Sequence, residues 1–473
     1  MRLAFVTGAG TIAPRFCAEN AHFSTRIKPM TDAARFVVHA RWVIPVEPAG
    51  RVLQQHAVAV QDGRIRAVLP SAAAREQFAD WPQVERPRHA LIPGLVNAHT
   101  HAAMTLLRGL ADDLPLMPWL AQHIWPAEQR FVGRQFVRDG TALAVAEMLK
   151  AGVTCFSDMY FFGEETAEVA AAAGMRAVIG LIVIDFPSAY ATDADDYLRR
   201  GLELHDAWRG HALIRAAFAP HAPYTVSDAP LKQIAMLAQE LDLPVHIHLH
   251  ETAHEVAESE ARYGARPLER LAALGLLTPD LIGVHATQLL AGEIASLAAA
   301  GASIVHCPES NMKLASGACP LPALLAAGVN VAIGTDGAAS NNDLDVLGEL
   351  KTAGLLAKLT TGDAAAAPAP ALLHLATLGG ARALGLGDEI GSLEPGKAAD
   401  LVALDLSAPH CQPVHDVISQ LIYAAGRDAV SDVWVAGRRL LEDRRLTTLD
   451  EGAILARAAD WGARIAEADH PPG

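Results

Sequence analysis

Eight short apolar runs, each ending in polar residues and followed by an Ala/Leu-rich stretch, constrain this chain more than any other feature. They are Leu91–Asn97, Val153–Asp158, Ala177–Ile184, Leu213–Ala219, Pro244–His248, Leu281–His285, Ser303–His306 and Asn330–Thr335. Strands covered on both faces read as near-continuous apolar runs, and helical stretches between them make βα units. Eight such units predict an α/β fold, a (β/α)₈ barrel of the TIM type closed by right-handed crossovers. Catalytic groups in such barrels stand at the C-terminal ends of the strands. The strand ends are therefore where function is to be sought.

The two ends of the chain follow a different rhythm. Phe36–Val46, His56–Val60 and Arg64–Leu69 alternate around the turn Gln61-Asp62-Gly63, and Leu401–Leu404, Asp432–Val435 and Arg438–Leu441 look similar. Neither set alone gives a comfortable two-layer core. A small composite β-sandwich from residues 31–90 plus 393–450 is therefore expected beside a barrel spanning 91–392. A C-terminal helix and tail are expected over 451–473, and Thr361–Pro370 reads as a surface loop or linker. Residues 1–30 read as a disordered extension, or as upstream sequence ahead of a start at Met30. Within them, Leu3–Gly10 lacks the full G-x-G-x-x-G spacing of a phosphate-binding turn.

Composition narrows the function classes. Hydrophobic residues make up 51% of the 473 and charged residues 19%, enough apolar material for a large interior. The net charge of −15 is spread without a long run of one sign, which disfavours nucleic acid or an anionic membrane as partner. No apolar run reaches the roughly 18–20 residues that span a bilayer. Five cysteines without a CxxC pair suggest a reduced, cytoplasmic compartment.

The first apolar run leads into His99-Thr100-His101, two imidazoles spaced i, i+2 and so on one face of an extended strand. Strand 5 reads Pro244-Val-His-Ile-His-Leu-His-Glu251. There His246, His248 and His250 share a face, and alternation alone leaves the ligand open. Strand 6 ends in His285, strand 7 in His306 and strand 8 in Thr335-Asp336. Several histidines with an aspartate suit Zn²⁺ or Fe²⁺, not Mg²⁺ or Ca²⁺, which favour all-oxygen shells.

The ordered set H-x-H, strand-5 H-x-x-E, strand-6 His and strand-8 Asp resembles the amidohydrolase superfamily. So does Glu394-Pro-Gly-Lys-Ala-Ala-Asp-Leu-Val402, and the resemblance runs from residue 31 to about 450. Leu107–Asp113 with Trp125-Pro-Ala-Glu128, Pro220-His-Ala-Pro-Tyr224, His306–Ser316 and Gly334–Asn342 further resemble the 5′-methylthioadenosine/S-adenosylhomocysteine deaminase branch. The resemblance implies one divalent metal, Zn²⁺ ahead of Fe²⁺, held by His99, His101, His248 and Asp336. It settles strand 5 in favour of His248 and leaves His246 and His250 structural; His306 would support or pack behind the site. Binuclear relatives carry a carboxylated Lys at the end of strand 4. Here Arg215–His221 contains none, so a single metal is expected.

The implied activity is hydrolytic deamination of 5′-methylthioadenosine, S-adenosylhomocysteine or adenosine to the inosine-type product and ammonia. A metal-activated water would attack C6 of the purine. Asp336 would take the water proton, Glu251 would protonate a ring nitrogen, and His285 would orient the attacking oxygen. Glu128 would accept from the ribose hydroxyls, and His221 would contact substrate as well. Leu114–Trp119 is a plausible wall for the 5′ substituent. The same site could serve another heterocycle, such as guanine, a pterin or a chlorinated triazine. A homo-oligomer accords with the habit of the family.

Overall fold

The computed structural model describes residues 35–469. Everything expected of residues 1–30 lies outside the described residues. Two eight-stranded sheets organise the rest. The first is wholly parallel, its strands in chain order: Leu95–Thr100, Val153–Asp158, Arg176–Val183, Ile214–Pro220, Val245–Leu249, Leu281–His285, Ser303–His306 and Asn330–Ile333. A helical connection follows each of the first seven strands, as the alternating pattern requires. The sheet is a barrel whose interior is packed with Val96, Ala98, Val178, Ala217, Ile282, Val284, Val305 and Ala332, all almost fully buried.

Between the first and eighth strands the barrel closes without a regular ladder. The Asp336 amide donates to the His99 carbonyl at 3.0 Å, and Asn97 and Thr335 bond to each other side chain to side chain and side chain to backbone. Gly334 permits this approach, because a Cβ there would come within 2.8 Å of His99 Cβ. His99 and Asp336 thus sit on the seam itself.

The second sheet draws on both chain ends. Its order runs Arg445–Leu446, Arg438–Glu442, Val430–Val435, Leu401–Asp405, Gln83–Pro93, Arg35–Val43, Leu53–Gln61, Arg64–Pro70. The sheet curls so that its two halves face one another. Phe36 stacks on Trp434 at 6.3 Å, and the turns at Gly63 and Gly437 touch. Val38, Val58, Val60, Ile65, Leu91, Leu401 and Trp434 pack together inside that curl.

One strand was misread from the sequence. The run Leu91–Asn97 is two strands, since Leu91 and Ile92 end the long strand of the mixed sheet and the barrel begins at Leu95. Gly94 makes the crossing, where a Cβ would fall 1.9 Å from Thr154 Oγ1. Both sides of the crossing are apolar and fully buried, so hydrophobicity carries no mark of the change. Thr361 closes the helix Val346–Thr361 and Ala369 opens the next, leaving residues 362–368 as the loop. The helix Glu451–Asp469 ends the described chain.

A buried ion cluster ties barrel to sheet. Arg176, at the start of the third barrel strand, lies 3.2 Å from Asp400 and 2.8 Å from Glu389, and Arg176 and Asp400 are each no more than 2% exposed.

Candidate active site

At the C-terminal mouth of the barrel, His99, His248, His285 and Asp336 each turn a ligand atom inward, all within 4.8 Å of one another and all buried. His101 joins from just past the first strand, its Nε2 3.1 Å from Asp336 Oδ1, while His99 Nε2 is 3.3 Å from the same oxygen. The i, i+2 spacing therefore delivers both rings of the H-x-H pair to one carboxylate, with ring centroids 4.8 Å apart. His285, read from the sequence as a residue acting on substrate, stands closer to the cluster than that reading required.

The outer nitrogen of each ring is already engaged. His101 Nδ1 meets the Met159 carbonyl, His248 Nδ1 the His221 carbonyl at 2.7 Å and His285 Nδ1 the Asn311 amide oxygen at 2.8 Å. His99 Nδ1 meets His246 Nε2 at 3.0 Å, and His246 Nδ1 lies 3.2 Å from Ser157 Oγ. These bonds fix the rings and turn the Nε2 edges of His99, His101, His248 and His285 inward, the edge a metal-binding imidazole presents once it is deprotonated.

Burial pushes His99 down to about 4 and His248 well below the ordinary imidazole range, so both stand neutral. Burial alone would raise Asp336, but hydrogen bonds from His101 and His99 outweigh it and hold the carboxylate far below its usual range. Burial likewise works against charge on His101; its bond to Asp336 prevails and lifts it to about 9. A carboxylate and several imidazoles converging in a buried site fit a divalent metal, which would displace the proton from His101.

A second pair of bonds orients Asp336. Ser310 and Ser340 both donate to its Oδ2 at 2.7 Å, which leaves Oδ1 for the histidines. Neither serine is marked in the sequence by any pattern beyond the family-like segments around it.

The cluster floors a cavity of about 660 Å³. Glu251, just past the fifth strand, lines it, and its Oε2 is 3.9 Å from His285 Nε2. Burial raises the Glu251 carboxyl, favouring the protonated form. His221 also lines the cavity, driven by burial to about 3 and so neutral. Glu128 comes from a helical stretch after the first strand, in which Leu116–Trp119 and Trp125–Phe131 flank a π turn at Leu120–Ile124. That residue is partly open to the cavity while its carboxyl group is enclosed by protein. Enclosure pushes it up to about 7, against the opposing hydrogen bond from Tyr160 Oη at 2.7 Å.

The structure thus brings His101, His248, Asp336, Glu251, His285, His221 and Glu128 onto the lining of one cavity, with His99 fully buried behind them against Asp336. Of the segment Leu114–Trp119, Leu116 and Trp119 reach the lining, and Ile124, Trp125, Phe161 and Phe186 extend the same wall. His250 leaves the strand through a positive φ of 54° and accepts from the Leu268 amide, away from the cluster. His306 is buried with Nδ1 unpartnered and does not line the cavity. Tyr160, Asn311 and the interior position of His246 went unread, because each acts through another residue and has no spacing signature of its own.

The sequence matches the amidohydrolase family over residues 90–440. This chain belongs to the amidohydrolase family. It is 50% identical over 435 residues to a 5-methylthioadenosine/S-adenosylhomocysteine deaminase of Teredinibacter turnerae, covering 92% of this chain and 98% of that one. Among solved structures, a zinc-bound adenosine deaminase from Xanthomonas campestris superposes with a TM-score of 0.90 at 58% identity, covering 91% of this chain and 98% of its own. A zinc-complexed atrazine chlorohydrolase from Arthrobacter aurescens shares the fold, with a TM-score of 0.85 at 24% identity over 90% of this amidohydrolase and 99% of that chain.

Proposed function

We propose that this amidohydrolase is a zinc-dependent deaminase of adenine nucleosides, acting on 5′-methylthioadenosine, S-adenosylhomocysteine and adenosine. One observation carries the reading: a buried His/Asp group and the carboxyl groups of Glu251 and Glu128 share a single cavity. The first suits activation of water, the second protonation of a ring, the third recognition of a ribose. The relatives' names support the substrate class.

In this reading His99, His101, His248 and Asp336 would hold the metal, which would supply the Lewis acidity that lets water attack C6 at neutral pH. Asp336 Oδ1 accepts a proton from the attacking water while Ser310 and Ser340 keep Oδ2 occupied. Glu251, its carboxyl raised by burial, donates to a purine ring nitrogen as electron density moves onto the ring. His285, with Nδ1 tied to Asn311, directs Nε2 toward the attacking oxygen. The proton taken up by Asp336 passes to the departing amino group while the C6 hydroxyl returns its proton to Glu251, so that ammonia and the inosine-type product leave and both carboxyl groups regain their starting states. Glu128 accepts from the two ribose hydroxyls, and a ligand without them would leave that carboxylate unsatisfied.

No helix among the described residues is long and apolar enough to cross a membrane. The four described cysteines are free and buried, which supports a reduced, cytoplasmic setting. The deciding experiment is ammonia release from zinc-loaded protein offered 5′-methylthioadenosine, S-adenosylhomocysteine, adenosine and guanine. Turnover of the adenine nucleosides with guanine inert is the expected result. Turnover of guanine alone would replace the reading with a base deaminase.

A further inference from the structure

Beside Glu128 the cavity wall is largely apolar, with Trp119, Ile124, Trp125, Phe161, Ile184 and Phe186 in the lining and Gln129 and Ser188 as uncharged polar members. Among the described residues the carboxyl and imidazole groups on the lining are those already assigned above, namely His101, Glu128, His221, His248, Glu251, His285 and Asp336; Tyr160 and Tyr224 line it as well, and no described Arg or Lys does. Arg134 pairs with Glu164 and Glu165 and lies over the Phe162 ring, and Arg200 pairs with Asp196. At the opening, Phe186 is 45% exposed and meets Trp125 edge to face, with ring centroids 6.4 Å apart.

Resting on the nucleoside reading, we propose that this apolar wall selects for uncharged 5′ substituents, admitting alkylthio and arylthio groups and discriminating against a zwitterionic amino-acid arm. A nucleoside whose ribose bonds Glu128 and whose purine lies over the His/Asp floor must send its 5′ group along this apolar wall. A thioether gains there, since sulfur packs well against aromatic rings and the alkyl group leaves water. An α-carboxylate and an ammonium find no partner of opposite charge. They must be desolvated unpaired or held out in solvent past the Trp125–Phe186 lip. The wall therefore ranks substrates that share one reacting ring and one ribose.

The test is a kcat/KM series with zinc-loaded protein: adenosine, 5′-methylthioadenosine, 5′-butylthio- and 5′-benzylthio-5′-deoxyadenosine, and S-adenosylhomocysteine. An S-adenosylhomocysteine whose amine is acetylated and whose carboxyl is a methyl ester completes the set. The alkylthio and arylthio compounds are expected within a few-fold of one another, with S-adenosylhomocysteine about 100-fold or more below them. The blocked, neutral arm is expected to recover most of that loss. The change Phe186→Arg is expected to raise the ratio of S-adenosylhomocysteine to 5′-methylthioadenosine turnover by about 10-fold or more. Equal turnover of the two natural thionucleosides would overturn the selector and leave the deaminase reading standing. Equal rejection of the blocked and zwitterionic arms would overturn it too, by assigning the discrimination to length. Absence of ammonia from every adenine nucleoside would remove the nucleoside reading and the selector with it.

Discussion

Replacing Glu128 by Gln separates recognition of the sugar from chemistry on the ring. The Glu128 carboxyl stands on the cavity wall with Tyr160 Oη donating at 2.7 Å, and Gln offers Tyr160 the same acceptor, so the fold is spared. Two ribose hydroxyls donating to a carboxylate are worth about 1.5–3 kcal/mol each. Gln keeps one neutral acceptor and turns an amino group toward the other hydroxyl, for a net loss of about 2–4 kcal/mol. At 1.36 kcal/mol per decade, kcat/KM for adenosine should fall about 30- to 900-fold. Deamination of 2′,3′-dideoxyadenosine, which lacks both donors, should hardly change.

The pH profile provides a second readout of the same variant. With its folded value raised to about 7, Glu128 is neutral below that pH and an anion above it. In the proposed role the anion is the form that accepts from ribose. Ribonucleoside kcat/KM in the parent protein should therefore rise as pH increases through about 7, and that rise should be missing both from the Gln variant and from the dideoxy substrate. The assay is continuous ammonia release from pH 5.5 to 9 at substrate concentrations well below KM. A uniform loss on both substrates, or an unchanged acid limb in the variant, would refute the ribose role and make Glu128 a structural partner of Tyr160.

Changing Glu251 to Gln removes the proposed ring proton donor without touching the cluster of inward-facing nitrogens. Turnover should drop by about 10²–10⁴-fold while bound zinc, measured by atomic absorption, stays at the parental level. Changing His246 to Leu unties His99 Nδ1, and zinc should be lost to a competing chelator at about 10- to 100-fold lower chelator concentration. Retention equal to the parent would make His246 plain core packing. Changing Arg176 to Met strands Asp400 in the interior, with the Ala436 amide as a remaining donor at 2.8 Å. Urea unfolding should show a loss of about 3–5 kcal/mol, and adding Asp400→Asn should recover much of it. Dialysis against a chelator should abolish ammonia release, and added Zn²⁺ should restore it.

Much of the barrel was legible because its strands are short apolar words punctuated by polar ends. Val153–Asp158, Leu281–His285 and Ser303–His306 fall where the pattern put them. The crossing at Gly94 was not legible, since the residues on either side are equally apolar and only the approach of Thr154 distinguishes them. On the fifth strand, alternation made His246, His248 and His250 equivalent. The structure separates them by depth and by one backbone angle: His248 is at the mouth, His246 binds His99 below it, and His250 turns away at φ 54°.

The sequence by itself determined the kinds of groups available and their order along the chain: a pair of imidazoles two residues apart, a carboxyl three residues past a strand histidine, an aspartate after the last strand. It did so because strand period and strand ends are local properties. Tertiary structure alone decided which lone pairs face inward and what the cavity beyond them is made of. Those depend on contacts between residues up to 238 positions apart, such as Asn97 with Thr335, and on helices and loops from separate βα units meeting at one mouth. No pattern along a chain encodes a distance across a barrel; the closing of the barrel sets it.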